Sequence, residues 1–510
     1  MLNKQLEAAL EARKQKGTLR NLTNFPSSSF SPSGGSEADE VELPLVDFSS
    51  NDYLSLSTCP VIRRHFIRRL TQKPTQGPDA WRLGSTGSRL LDGNSTEHEE
   101  LESRLASHFG SESALLFNSG FDANVSLFST LPQPGDIVLY DSLVHASVHD
   151  GLRNSRSVQA IPFRHNDVAH LDSLLRRLSD QSSLTGRNVF VGVEAVYSMD
   201  GDLCPLDELV EVAERYVTKE LLHVIVDEAH STAVYGEQGK GLCQALGLTD
   251  RIRVRLMTFG KAMGTCGAAV LCSPLIRHYL INYARPLIFS TALSHPTVSS
   301  IHCSLDALMD GRGDERSSRL FENTRLLHSK LLEVVGREVE AAAAREGHPP
   351  SAQVGQPTTG ERLGRRKGKS TCLEAGSDQT PSPIVPLLTT RARELAAHLR
   401  SKGLLARSIC YPTVPKGEDR VRICVHYANE SEDIERLVKV VADWCETIRG
   451  GEMGRSKKEE ERGATRSTPR KDPRSPTRPG GLTLSSVGGM ERATKRSGSS
   501  SLLTDVKSRL

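Results

Sequence analysis

Residues 224–241 read VIVDEAHSTAVYGEQGKG, and the use made of the acid in that run decides the fold. Its centre, Asp227-Glu228-Ala229-His230, spells the acidic box of a group of RNA helicases. An ATPase built on such a box also needs a loop of the form GxxxxGK[ST] to wrap the phosphates. None is present. Lys240 precedes Gly241, Lys261 precedes Ala262, and the stretch from Gly364 to Ser370 has the wrong glycine spacing. Asp227 must serve another chemistry. It ends the apolar run LLHVIV, hence the carboxyl end of a buried strand, which is where ligands collect in open α/β sheets. A carboxylate there is costly unless it meets a cation.

Around this run, from about residue 45 to 300, the segments SALLF, DIVLY, VFVGV, HVIVD, RLMTF and AAVLC alternate with glycine-bearing turns and amphipathic stretches. That alternation predicts βαβ crossovers and a mostly parallel sheet covered on both faces, an α/β fold. A smaller α/β unit follows, with SPIVPLL, the helical RARELAAHLRSKG, and RVRICVHYA. The chain divides into an N-terminal helix and polar linker (1–45), a large domain (46–298), a small domain (299–449) with a low-complexity insertion at about 338–380, and a disordered basic tail (450–510). Neither the insertion nor the tail is expected to form a core, because no Phe, Trp or Tyr occurs between Phe321 and Tyr411 or after Trp444.

The strand RLMTF leads into Thr258-Phe259-Gly260-Lys261-Ala262-Met263-Gly264, where flanking glycines let the backbone bring Lys261 close to a ligand. Pyridoxal phosphate wants both groups: it links covalently to a lysine, and an aspartate keeps its ring nitrogen protonated. Its phosphate needs converging N–H groups. Residues 114–126, ALLFNSGFDANVS, supply a strand, a tight turn and a helix whose positive end begins at Gly120 and Phe121.

Composition excludes other classes. The 510 residues, 37% hydrophobic and 25% charged, suffice for about two or three domains. Net charge is +3, but residues 451–510 hold 14 Lys and Arg against 7 Asp and Glu, which leaves the rest mildly acidic. A nucleic-acid surface would place its basic excess on the folded part. The ten cysteines form no CxxC pair or zinc-spaced cluster, and no apolar run reaches the ~18 residues of a membrane span. Leu2, Leu6 and Leu10 repeat at helical spacing, which predicts a docking helix. The terminal Ser508-Arg509-Leu510 is a variant of the peroxisomal tripeptide Ser-Lys-Leu, so the expected address is the peroxisome through its import receptor, with the cytoplasm as the alternative.

FSSNDYLSLS (48–57), GSTGSRLLDGN (84–94), FNSGFDAN (117–124), HAS (145–147), YSMDGDLCPL (197–206), VDEAHSTAVYGEQGKG (226–241) and TFGKAMGTCGAAV (258–270) together resemble the α-oxoamine synthases. These are fold-type-I pyridoxal-phosphate enzymes, of aspartate-aminotransferase-like fold, that condense an amino acid with an acyl thioester and lose CO₂. Asp52 and Asp202 favour the member that joins L-alanine to pimeloyl-CoA in biotin synthesis. The resemblance implies a homodimer. It makes Lys261 the cofactor lysine and base, Asp227 the partner of the ring nitrogen, His230 that of the ring oxygen, and His145 the residue stacked on the ring. Gly120, Phe121, Ser198 and Thr258 would hold the cofactor, chiefly at or near its phosphate. Arg20, Asn51, Thr413 and Arg422 would meet substrate, although alternation puts Arg420 on the same strand face as Arg422. His149, His165, His170 and His223 are read as structural. Departures from the family pattern are Cys204, Met263, Cys266 and the lack of a double proline after Ser290-Thr291. Alternatives are a relative condensing alanine or glycine with another acyl thioester, and a non-catalytic partner subunit.

Overall fold

A computed structural model describes residues 1–23, 45–72, 82–156, 158–345, 374–375 and 382–464. The expected linker, most of the insertion and the terminal tripeptide lie outside the described residues. Seven strands form the main sheet: β1 (Ser113–Phe117), β2 (Ile137–Asp141), β3 (Gln159–Phe163), β4 (Val189–Glu194), β5 (Leu222–Asp227), β6 (Val254–Thr258) and β7 (Ala268–Cys272). Their order is β1-β7-β6-β5-β4-β2-β3. Strands β2 to β6 run parallel, whereas β7 is antiparallel to both neighbours.

The parallel core follows from near-continuous apolar runs, which suit strands covered on both faces. Val224 and Val226 pack into one apolar layer with Val191 and Val193, while Ile225 packs into the other with Phe190, Leu256 and Val270. Strand alternation thus turns Asp227 toward the same face as Ile225. The fifth and sixth strands place both VDEAH and TFGK at one carboxyl edge. The edge strand β3, QAIPF, is not among the six apolar runs. It carries Pro162 and is mostly exposed, as an edge strand tolerates.

The smaller sheet contains β8 (Glu374–Ala375), β9 (Ile384–Leu388), β10 (Arg407–Ile409) and β11 (Arg420–Cys424), antiparallel in the order β10-β11-β9-β8. The segment after the linker is stitched to this unit. Val46–Asp47 pairs with Leu404–Leu405, the Cys424 N–H donates to the Phe48 carbonyl at 2.8 Å, and the Tyr427 N–H to that of Tyr53 at 2.8 Å. Asn51 and Tyr53 are thereby laid beside β11.

Helix α1 (Leu2–Gln15) forms as expected, with Leu2, Leu6 and Leu10 all more than half exposed. The helix Ser431–Ala464 continues past residue 450 into the expected tail, because SKKEEER is rich in helix-forming residues. Among the described residues no cluster of metal-ligating side chains occurs, and no helix is long and apolar enough to cross a membrane.

Candidate active site

Asp227, the last residue of β5, is buried. Its Oδ1 accepts the Ala229 N–H at 2.9 Å and its Oδ2 accepts Asn124 Nδ2 at 2.7 Å. Asn124 also donates to Ser147 Oγ at 3.1 Å, so one amide ties strand, helix and the His145 loop together. Glu228 does different work. Fully buried, it accepts Ser231 Oγ at 2.7 Å and the Cys243 N–H at 3.2 Å, holding the turn after β5. The acidic box is one strand-end carboxylate and one structural brace.

Lys261 lies three residues beyond β6, the strand hydrogen-bonded to β5. Its side chain is partly open, and loss of water around it pulls the amine down to about 8, against the upward pull of Asp227 and Glu194. Helix α2 (Gly120–Thr130) begins against the same strand end. A Cβ on Gly120 would sit 2.6 Å from Thr258 Cγ2, so glycine is what lets the helix tip approach. Ser119 caps the helix by accepting the Asp122 N–H at 3.0 Å, while the first-turn N–H groups of Gly120 and Phe121 have no acceptor within the helix.

His145 caps α3 (Ala146–Arg153), with Nδ1 2.7 Å from Ser147 Oγ, and its ring stands edge-on to Phe121. Burial lowers its pKa, Asp227 opposes this, and Lys261 reinforces it. His230 is deeply buried, with Nδ1 2.7 Å from Tyr53 Oη. Burial, then the charges of Lys261 and Arg422, hold it well below the usual histidine range, so the ring is neutral.

The arginine ambiguity is resolved by partners. Arg420 is fully buried and ion-paired with Asp200, with Glu418 3.7 Å away. Arg422 instead donates to Asn51 Oδ1 at 2.9 Å and Tyr53 Oη at 3.3 Å, and its buried Nε has no partner among the described residues. Asn51, Arg422, Tyr53 and His230 therefore form one connected group. Ser198 is half-buried on the loop after β4. Arg20 and Thr413 are exposed, and no hydrogen bond from either side chain reaches the rest of this group. Asp52 and Asp202, the two residues that favoured a particular member, both hold loops. Asp52 accepts the Leu56 and Ser57 N–H groups, and Asp202 accepts His165 Nε2.

Two participants escape a reading of the sequence. Glu194 ends β4 in register with Asp227, and its buried Oε1 has no partner among the described residues. Burial, then the neighbouring Asp227 charge, pushes its carboxyl up to about 8. Tyr53 reads as an ordinary core aromatic in SSNDYL, yet its hydroxyl touches three polar groups of the site. The adjacent-strand register was the available signal for Glu194; for Tyr53 there was none in spacing.

The residues present fit pyridoxal phosphate. A buried carboxylate, a depressed lysine, a neutral histidine and a glycine-opened helix terminus converge on one strand edge, and the unspent atoms Asn124 Oδ1 and Glu194 Oε1 lie among them. Comparisons with known proteins agree. The family described as aminotransferase class I and II matches residues 44–441. An 8-amino-7-oxononanoate synthase from Emericella nidulans is 41% identical over 450 residues, 88% of this chain and 97% of that protein. Aminoacyl transferase sphA from Aspergillus fumigatus is 33% identical over 80% of this chain and 84% of that one. Among solved structures, a lysine-to-alanine variant of a serine palmitoyltransferase from S. paucimobilis with a bound PLP–myriocin aldimine superposes with a TM-score of 0.64 at 26% identity, covering 78% of this chain and 87% of the other. The chain belongs to the aminotransferase class I and II family, within it to the α-oxoamine synthases, and is a pyridoxal-phosphate-dependent acyltransferase.

Proposed function

We propose that the protein condenses L-alanine with pimeloyl-CoA, releasing coenzyme A and CO₂ and forming 8-amino-7-oxononanoate, as a homodimer. The observation that carries the reaction class is the placement of Asp227 and Lys261 at the ends of adjacent parallel strands, each within range of the other's charge. The choice of substrates rests on likeness to the Emericella nidulans enzyme along nearly its whole length.

Pyridoxal phosphate, when bound, supplies an electron sink that stabilises negative charge at the amino acid's α-carbon. Lys261 holds the cofactor covalently and moves the α-proton, a task for which an amine near 8 is suited. Asp227 keeps the ring nitrogen protonated, and its two accepted hydrogen bonds fix its aim. His145 would stack on the ring, as the family resemblance implies. The Tyr53 hydroxyl is 2.7 Å from His230 Nδ1 and 3.2 Å from Asn51 Oδ1, so its hydrogen is assigned to the nearer His230 Nδ1. That leaves Nε2–H to donate to the ring oxygen. The unspent N–H of Arg422 offers a fixed donor for the substrate carboxylate. Gly120, Phe121, Ser198 and Thr258 hold the cofactor chiefly at or near its phosphate. Arg20 and Thr413, exposed on this chain, act on the acyl donor.

The likeness to aminoacyl transferase sphA supports a second reading, in which another acyl thioester is used. Coenzyme A release across acyl lengths, with alanine, glycine and serine, separates them. The expected outcome is highest kcat/KM for pimeloyl-CoA with alanine. A clear preference for a longer chain or for serine selects the second reading instead.

We also propose import into peroxisomes through Ser508-Arg509-Leu510. A fluorescent fusion to the N-terminus is expected to be peroxisomal and to become cytoplasmic once those three residues are deleted. Retention in peroxisomes after the deletion would remove the tripeptide from the account.

A further inference from the structure

His165 lies just beyond the edge strand β3, far in sequence from every proposed cofactor contact. Its nearly buried ring is held at both nitrogens. Nδ1 is 3.0 and 3.1 Å from the two Asp141 oxygens, and Nε2 is 2.7 Å from Asp202 Oδ2. A ring that faces a carboxylate at each nitrogen must donate from both, which makes it an imidazolium. Burial alone would depress its pKa, but the two carboxylates outweigh burial and hold it up at about 10. Asn166 completes the joint, donating from its backbone N–H to Asp141 at 2.8 Å and from its side chain to Asp202 at 2.8 Å and the Leu203 carbonyl at 3.1 Å.

The element gripped in this way is a tight hairpin. Val196 bridges Leu203, the Tyr197 N–H donates to the Asp202 carbonyl at 3.0 Å, and the Gly201 N–H to the Tyr197 carbonyl at 2.9 Å. The His165 ring stands edge-on against Tyr197 at 4.4 Å. From the other side, the Asp200 carboxylate pairs with buried Arg420 of the small sheet. Gly201, at φ +72°, packs so closely on the Ile384 carbonyl that no Cβ would fit. Ser198 rides on this hairpin, between Tyr197 in contact with His165 and Asp200 in contact with Arg420. The hairpin is thus clamped by one cation just beyond the main sheet's edge strand and one from the small sheet.

We propose that His165 is a positioning residue: by tying Asp141 to Asp202 it fixes the 197–203 hairpin so that Ser198 meets the cofactor, and Arg420 sets the same hairpin against the small domain. This rests on the reading of Ser198 as a cofactor contact, and the test separates the two. The dissociation constant of pyridoxal phosphate is measured by absorbance titration of the full-length apoprotein for Ser198→Ala, His165→Gln and the double variant. Each single change is expected to weaken binding about tenfold, the size of one lost hydrogen bond, and the double variant to remain near that value rather than reach about a hundredfold. Such non-additivity is the mark of one residue acting through the other. Additive losses, or a loss for Ser198→Ala with none for His165→Gln, would overturn the clamp while leaving the Ser198 contact standing. No loss for Ser198→Ala would remove that contact and the clamp with it. Should His165→Gln fail to fold, Asp202→Asn takes its place in the same cycle, because it unties only the half-exposed end of the joint.

Discussion

Replacing Lys261 with alanine is expected to abolish covalent capture of pyridoxal phosphate and to lower kcat/KM by at least about 10³-fold. Two functions are lost together. In the proposed mechanism the amine is both the nucleophile that takes the cofactor's aldehyde and the base that moves the substrate's α-proton, and no other lysine belongs to the described site. The violet-edge absorbance of the bound cofactor should vanish. Borohydride treatment followed by mass spectrometry should find the phosphopyridoxyl group on residue 261 of the unmutated protein only. If the unmutated protein also carries none, the chain is a partner subunit without catalysis of its own. The sign of the pH effect follows from the lysine's depressed pKa. Capture needs the neutral amine, so its rate in the apoprotein should rise through about pH 8 instead of near the ordinary lysine value of about 10.4. A midpoint near the ordinary value would mean that burial does not desolvate the amine.

The proposed reacting groups are legible in the sequence because strand ends and glycine turns leave local marks. Asp227 closes an apolar run, Lys261 sits between glycines, and Gly120 stands at a strand-to-helix junction where only hydrogen fits against Thr258. Six of the seven main strands are equally plain. The seventh, QAIPF, breaks the apolar pattern because an edge strand packs on few neighbours and can accept a proline. What alternation leaves open is partnership across the fold. Arg420 and Arg422 share a strand and a charge, and only the distant Asp200 and Asn51 distinguish a structural arginine from one facing the site. His165 reads as structural for the same reason, since its two carboxylates come from β2 and from the 197–203 hairpin. Glu194 looks like the tail of a buried strand until pairing with β5 sets it beside Asp227. The specificity markers are also more indirect than their motifs suggest, because Asp52 and Asp202 bond to loops.

Asp227→Asn is expected to lower kcat by about 10²–10³-fold, the scale of losing one fixed electrostatic partner, while leaving the cofactor covalently held. Asparagine matches aspartate in size but offers one acceptor where two are in use. Either the Ala229 N–H or the Asn124 amide would then face another N–H group. The ring nitrogen would lose its anionic partner and with it much of the electron sink. Glu194 complicates the charge balance in a way that can be measured. Its carboxyl is held near 8 by burial first and by the Asp227 charge second, so removing that charge lets Glu194 ionise at lower pH. Lys261 loses the support of Asp227 but gains that of an ionised Glu194. Its capture midpoint should therefore fall only slightly in Asp227→Asn and fall further in the double variant Asp227→Asn/Glu194→Gln, where neither anion remains. Equal midpoints for the single and double variants would show that Glu194 takes no part in the charge of the site. A midpoint that rises in Asp227→Asn would mean that Asp227 and Lys261 do not share one pocket.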